Sequence, residues 1–377
     1  MKIALNLANL RGYGSGVVGR NVLRALSRVG QMHELRAWIP YEWGWTQSDA
    51  PGIRLHVVRG GVPAKLLTEN LGIRLALKTW PADVLFSLGD TSVPLCGVPH
   101  LLLVHQPFIA HAAEDCALPL GRRFRARVAL INGYFSLGLS TVSKITVQTE
   151  HMRQAIHRRW AVPLDRIVIV PSAIEAVELE AELATKNEAE SPFLCYIASP
   201  GPHKNHVLIA EILAGLARRE IRIPCRLTVE SSAVPDLCAR AQELGVLEQI
   251  EFLGGVPLVE AHRLMRSAVA VLMPSKMESF GIPLWEAMAA GAPLIASDLD
   301  FAREACADVA AYADPDDGEA WAAQIARWLE SPARAQEQGA RGIERHRQSA
   351  TTWDDIARRY LDVLDSLPAS PSVIRRL

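Results

Sequence analysis

Residues 269–298, VAVLMPSKMESFGIPLWEAMAAGAPLIASD, read as strand, loop, helix, turn and strand. Val269–Met273 is a short apolar run of the kind that a parallel sheet buries on both faces. Pro274 and Ser275 end it, and Ser279, Phe280 and Gly281 form a loop. Pro283 fits the first turn of a helix, where its missing N–H costs nothing. That helix should run to about Ala290, stopped by Gly291 and Pro293, before a strand from Leu294. Its exposed first turn offers free backbone N–H groups and a positive dipole end, a seat for phosphate. Glu278 and Glu286 flank the seat. Carboxylates repel phosphate, so the hydroxyl donors of a sugar suit them better.

Around this stretch the chain has 377 residues, enough for two domains with a core each. A hydrophobic fraction of 49% beside 21% charged residues describes a soluble globular protein. The net charge of -1 conceals an asymmetry: residues 1–175 hold 20 Lys and Arg against 11 Asp and Glu, the remainder 20 against 30. A basic first half suits an anionic ligand or surface. Six scattered cysteines without a C-x-x-C pair exclude a zinc ribbon and a disulfide framework, leaving reduced thiols. The start MKIALNLANL is too short an apolar run for a signal peptide, and no stretch reaches the length of a membrane span. A cytoplasmic protein is expected, with peripheral contact at the inner face of the membrane still open to it.

Strands are expected at Lys2–Leu7, Leu35–Ile39, Ile53–Val58, Val84–Ser87, Leu101–Val104, Ile145–Gln148 and Ile167–Val170, with helices between them. A second series runs through Phe193–Ala198, Arg226–Glu230, Ile250–Leu253, Val269–Met273 and Leu294–Ala296. Such alternation indicates parallel βαβ units. The acidic segment 176–191 reads as a linker, and Trp353–Leu367 as an amphipathic helix. The expected domains are therefore 1–175 and 176–353, with the tail 354–377, which the resemblance given below returns to the first.

Gly14-Ser-Gly16-Val-Val-Gly19 matches G-x-G-x-x-G between a strand and a helix expected from Val17. A dinucleotide fingerprint needs an acid ending the second strand, and Ile39-Pro40 stands there instead. Glycines that let backbone approach a diphosphate need no such acid. His105 follows an apolar strand, where open α/β sheets place ligand contacts. Lys204, in His203-Lys204-Asn205 after the Ser199-Pro-Gly-Pro turn, has the charge to neutralise a phosphate. Arg20, Arg24 and Arg28 line up on one helix face and read as a solvated row. Arg122, Arg123, Arg125 and Arg127, with Trp43 and Trp45, suggest a membrane or lipid-diphosphate contact. Nothing indicates a nucleic-acid partner.

The 269–298 stretch resembles the donor-site signature of retaining glycosyltransferases of the GT-B fold, family 4 type (glycosyl transferases group 1). Its elements stand here as Pro274, Ser275, Glu278, Phe280, Gly281, Pro283, Glu286, Ala287, Met288, Ala289, Gly291 and Pro293. Phe252-Leu-Gly254-Gly255-Val256 resembles the segment that holds the base, and Lys204-Asn205 the lysine that contacts the donor diphosphate. The likeness extends to Val147-Gln-Thr149, Ile169-Val-Pro171, Glu304, Asp314-Pro315 and the tail helix from Trp353. Two positions depart from it. Ser199 stands where many members have an arginine, with His203 or an arginine of the first domain to compensate. Pro171-Ser172-Ala173 replaces the usual P-N-G.

The resemblance implies an α/β protein of GT-B type: two Rossmann-like doubly wound domains facing a cleft, with the C-terminal helix crossing back to the first. It implies a retaining transfer of a hexose or deoxyhexose, from a nucleotide diphosphate sugar to a glycan or lipid-diphosphate-linked acceptor, in bacterial surface polysaccharide synthesis. Mannosyl- and rhamnosyltransferases are among the members. Glu278 would hold sugar hydroxyls and Glu286 the ribose. Ser279 lies in the donor loop, and the N–H groups of Phe280, Gly281 and Ile282, with Lys204, would take the diphosphate charge. Gly14 and Gly16 would meet that diphosphate from the other domain, and His105 would lie near sugar and acceptor. The family generally needs no metal, and the nucleotide sugar is a co-substrate, so no cofactor is expected. The alternatives are another GT-B enzyme, an epimerase or phosphorylase, and a non-catalytic nucleotide-sugar-binding relative.

Overall fold

The computed structural model describes residues 1–10, 12–113, 117–118, 120–173 and 191–368. The expected linker lies outside these residues except for Ser191, as does the end of the tail. Two compact units divide the chain: Met1–Ala173 with Thr351–Leu377, and Ile174–Ala350. The return to the first unit thus starts at Thr351, not 354, because Thr352 caps the tail helix through a reciprocal capping box with Asp355.

The first unit is built on β1 (Lys2–Asn6), β2 (Glu34–Pro40), β3 (Ile53–Val58), β4 (Val84–Ser87), β5 (His100–Leu103), β6 (Lys144–Val147) and β7 (Ile167–Ile169). They form a parallel sheet in the order β3-β2-β1-β4-β5-β6-β7. Strand order reverses between β1 and β4, where Leu5 is paired with Ala37 on one side and Phe86 on the other. Such a reversal opens a crevice beyond the carboxyl ends of the two strands.

The first helix, Tyr13–Val29, begins four residues before the expected Val17. Gly16 N–H donates to Gly12 O at 2.8 Å, so Gly14 and Gly16 belong to its first turn rather than to a preceding loop. Packing dictates one of the glycines: a Cβ on Gly19 would lie 2.3 Å from Leu10 Cδ1 and 3.2 Å from the Trp43 ring. Gly14 is exposed and a Cβ there meets nothing within 4 Å. The arginine row on this helix is a solvated face, with Arg24 and Arg28 exposed and Arg20 half-buried, and each arginine has a partner there. Arg20 lies over Trp43 and Arg24 over Trp45, while Arg28 Nε donates to Asp354 at 3.0 Å. Trp43 also donates to Leu10 O at 2.8 Å. Both half-buried tryptophans therefore pack against the first helix.

The tail helix, Trp353–Asp365, buries Ile356, Ala357, Tyr360, Leu361 and Leu364. Its ring at Tyr360 packs on Phe86 of β4, with centroids 4.9 Å apart. Deep insertion of an aromatic into the sheet's helical cover makes this helix part of the first core.

The second unit holds β8 (Leu194–Tyr196), β9 (Cys225–Leu227), β10 (Ile250–Phe252), β11 (Ala270–Met273), β12 (Leu294–Ser297) and β13 (Ala311–Ala313). This parallel sheet has the order β10-β9-β8-β11-β12-β13, reversing between β8 and β11. Strand β13 was not expected, since Ala311-Tyr-Ala313 is too short to carry a period. Strand β9 stops at Leu227, not Glu230, because Ser231–Ala233 turns the chain.

Tyr360→Ala should destabilise the first unit by about 3–5 kcal/mol through the cavity it leaves. Segment-resolved hydrogen exchange should record that loss in β1 and β4, with protection in the second unit unchanged.

Candidate active site

Two loops leave the carboxyl ends of β8 and β11, the strands at which the second sheet reverses. The first carries Ser199, His203 and Lys204; the second carries Ser275 through Gly281. Pro202–Lys204 forms a tight 3-10 turn, and Asn205 adopts left-handed backbone (φ 54°), anchored by Nδ2 to Pro315 O at 2.7 Å. Gly281 is also left-handed (φ 70°) and caps the helix Ile282–Ala289, with Pro283 in its first turn as expected. A Cβ at Gly281 would lie 2.8 Å from Leu284 Cδ1, so both backbone and packing call for glycine there.

The two loops meet in a buried ion pair. Lys204 Nζ lies 2.6 Å from Glu278 Oε1, and the residues are only 9% and 7% exposed. Lys204 and Glu278 thus act on each other, not only on the separate ligand groups that the sequence suggested. Tyr196 Oη, buried at the end of β8, donates to Lys204 O at 2.7 Å and lies 3.4 Å from Ser275 Oγ. Lys276 N–H donates to His203 O at 2.8 Å, and its side chain pairs with Asp316. Burial alone would raise the Glu278 carboxyl. Lys204 and His203, with a hydrogen bond from Ser275, hold it below the ordinary value. Burial and the Lys204 charge push His203 and His206 down to about 4, so both imidazoles are neutral at pH 7.

The remaining donor-site candidates spread over the same sheet end. Ser199 is exposed after β8. Gly255 and Val256 follow β10, preceded by Gly254 (φ 67°), where a Cβ would strike Glu230 Oε1 at 2.3 Å. Ser279 and Ile282 are half-buried, and Phe280 is buried with its ring stacked on Trp285. Glu286 is half-buried one turn into the helix. Gly14, Gly16 and His105 belong to the first unit.

His105 follows β5 and is held by Asp90, a residue that the sequence reading missed. Asp90 Oδ1 accepts the backbone N–H of both His105 (2.8 Å) and Gln106 (2.9 Å), and its Oδ2 lies 3.2 Å from His105 Nε2. Its left-handed backbone (φ 64°) is the cost of that double bond. No motif flags Asp90; an aspartate after Gly89 at a strand end was the only signal. His105 Nδ1 has no hydrogen-bond partner, nor does the buried Gln148 Oε1 after neighbouring β6. Buried polar atoms left without partners at strand ends are free to meet a ligand. Among the described residues, no group of three or more His, Cys, Asp or Glu is placed to hold a metal ion.

Two Rossmann-like units of this topology define the GT-B fold. It is shared with WaaG, a glycosyltransferase involved in lipopolysaccharide biosynthesis (TM-score 0.71, 17% identity, covering 97% of this chain and 100% of that one). Anabaena HepE in complex with UDP-glucose has the same TM-score of 0.71 at 15% identity, with 97% and 100% covered. The glycosyl transferases group 1 family model matches residues 180–345. It is 29% identical over 175 residues to the O-antigen chain mannosyltransferase RfbU of Salmonella typhimurium, covering 46% of this chain and 47% of that protein. With the O-antigen chain mannosyltransferase B of Escherichia coli it is 29% identical over 234 residues, 59% and 61% of the two. The chain thus spans about half to three-fifths of the length of these relatives.

Unfolded histidines take up protons near the ordinary value of 6.5, whereas His203 and His206 in the folded unit wait until about 4. Stability should therefore fall as pH drops from about 6.5 to about 4 and stop falling on their account below that. A thermal melting series across this range checks it, and His206→Gln should flatten the slope.

Proposed function

We propose that this protein is a retaining glycosyltransferase that moves a hexose or deoxyhexose from a nucleotide diphosphate sugar to a glycan or lipid-linked acceptor. The observation that carries the reading is the buried Lys204–Glu278 pair beside the N-terminus of Ile282–Ala289. An ammonium and a helix dipole at one point stabilise a departing diphosphate. Glu278, kept ionised, accepts hydrogen bonds from sugar hydroxyls, and Glu286 does so from the ribose. Gly255 and Val256 flank the base. When the C1–O bond to phosphate breaks, the acceptor oxygen bonds C1 on the same face, and the acceptor proton passes to the leaving phosphate oxygen. No metal is needed for this charge balance. His105, aimed by Asp90, serves the sugar and acceptor. Gly14 contributes open backbone in the first turn of its helix. The mannosyltransferase names of the relatives favour mannose, with rhamnose as the deoxyhexose counterpart. A non-transferring nucleotide-sugar enzyme is separated by product analysis with acceptor omitted.

Removing Lys204 alone would leave a buried carboxylate unpaired, which costs about 3–5 kcal/mol. Lys204→Met combined with Glu278→Gln avoids that charge. A thermal-shift panel of UDP, GDP, dTDP and their sugars should show one nucleotide stabilising the wild type. The double variant should fold but bind that nucleotide at least about tenfold more weakly. Unchanged affinity would remove the pair from the site.

The lipid-linked acceptor suggests work at a cytoplasmic membrane surface, and one face of the first unit supports it. The helix Arg122–Gly138 contains no acidic residue and exposes Arg122, Arg123, Arg125 and Arg127, with Leu130 and Leu137 each 76% exposed. Asn70 Nδ2, 3.3 Å from Tyr134 Oη, joins it to a second helical stretch that exposes Leu67, Leu71 and Leu75. The only acid on that stretch, Glu69, is buried. Leucines rimmed by cations match an anionic bilayer. Among the described residues no helix is long and apolar enough to cross a membrane. The chain should float with vesicles containing phosphatidylglycerol and not with phosphatidylcholine alone. Leu130→Ser with Leu137→Ser, or Arg→Glu at 122 and 125, should abolish flotation.

A further inference from the structure

We infer that Glu69 is a positioning residue for the Asp90–His105 pair, acting through Thr91. The inference rests on the reading of His105 as a site residue. Glu69 is 0% exposed and sits in a π-helical turn, Thr68–Gly72, inserted between the helices Val62–Leu67 and Ile73–Thr79. Such turns carry one residue more than an α-turn and are retained mostly where a side chain must be re-aimed. Here the side chain re-aimed is a carboxylate, directed under the carboxyl ends of β1 and β4, where the first sheet reverses.

Its Oε1 accepts two hydrogen bonds, from Thr91 Oγ1 at 2.6 Å and from Asn6 Nδ2 at 3.1 Å. Asn6 ends β1 and also reaches Ser87 Oγ of β4 at 3.3 Å. Ser87 in turn lies 2.9 Å from His100 Nε2 at the start of β5. One oxygen thus ties together the ends of two strands and the loop that follows β4. Thr91 is the residue next to Asp90, and Asp90 has no helix or strand to hold it in left-handed backbone. Its backbone N–H bonds Leu103 O at 3.1 Å from one side, and the Thr91 anchor fixes it from the other.

A neutral acceptor would make the same two bonds at lower cost. Burial pushes the Glu69 carboxyl up, opposed by Lys65, Thr91 and Asn6. Its Oε2 has no hydrogen-bond partner, and Lys65 Nζ stands 3.9 Å away. Oε1 can accept both bonds in either protonation state of the carboxyl, so the Thr91 anchor rests on its 2.6 Å geometry and its full burial.

Thr91→Val removes the hydroxyl with little change of shape, and Thr91→Ser restores it. In the full-length protein, Thr91→Val should speed hydrogen exchange at the His105 and Gln106 amides by about tenfold or more, leaving β5 protected. With the donor sugar identified by the nucleotide panel, it should lower kcat about ten- to a hundredfold with donor KM unchanged. Thr91→Ser should recover both. Wild-type exchange at these two amides in Thr91→Val would overturn the inference, whether or not transfer is observed. Loosened amides with wild-type kcat would reduce Glu69 to a structural residue and overturn it too. A wild-type chain that transfers no sugar would instead count against the proposed function, since the exchange result is read without any activity.

Discussion

The ion pair between Lys204 and Glu278 is the constraint on which the second unit's site depends. Neither residue tolerates burial alone, because an isolated charge in the interior costs several kcal/mol. Together they fix two loops that come from opposite sides of a strand reversal. The pair also biases the protonation of its surroundings. Burial first and the Lys204 charge second suppress protonation at His203 and His206, and Glu278 stays below its ordinary value although burial opposes it. The result is a compact region with one positive and one negative group, both desolvated. In such a medium each acts on an incoming ligand with far more force than it would at the surface.

The first unit reaches a similar end by other means. Its candidate side chain, His105, is held by one carboxylate, which accepts two backbone N–H groups through Oδ1 and lies 3.2 Å from the imidazole through Oδ2. Behind it, Thr91 and Asn6 both donate to Glu69, placed where β1 and β4 diverge. In both sheets the polar groups therefore collect at the reversal point, because that is where strand ends are not covered by a crossover helix.

Most of the sheet architecture was legible in the sequence, for a physical reason. Strands buried on both faces must be continuous apolar runs, and Val84–Ser87 or Val269–Met273 have no other reading. The helix at 282–289 was equally plain, since Gly281 and Pro283 each answer a steric demand. The same locality explains the failures. Strand β13 is three residues held by its neighbour, not by its own pattern. The first helix started early because Gly14 and Gly16 are compatible with a helical turn as well as with a loop. Asp90 and Glu69 belong to no motif; their roles come from backbone conformation and from contacts 15 to 63 positions away along the chain. Arg20, Arg24 and Arg28 form the solvated row that their spacing indicated, but their partners were not legible because they lie in a distant loop and in the tail.

The tail helix gives the chain an order of events. The second unit is contiguous, from Ile174 to Ala350, so its core contains nothing that is made later. The first unit is split around it, and Tyr360 reaches Phe86 only after the whole intervening unit has been synthesised. During translation, then, the domain begun first is the domain finished last. Its β4 face waits uncovered through the making of about 270 residues, from Ser87 to Tyr360, at synthesis rates of about 5–20 residues per second. For several seconds or more the nascent protein carries a completed second unit and an unfinished first one, and a chaperone that shields apolar sheet would find its target at Phe86.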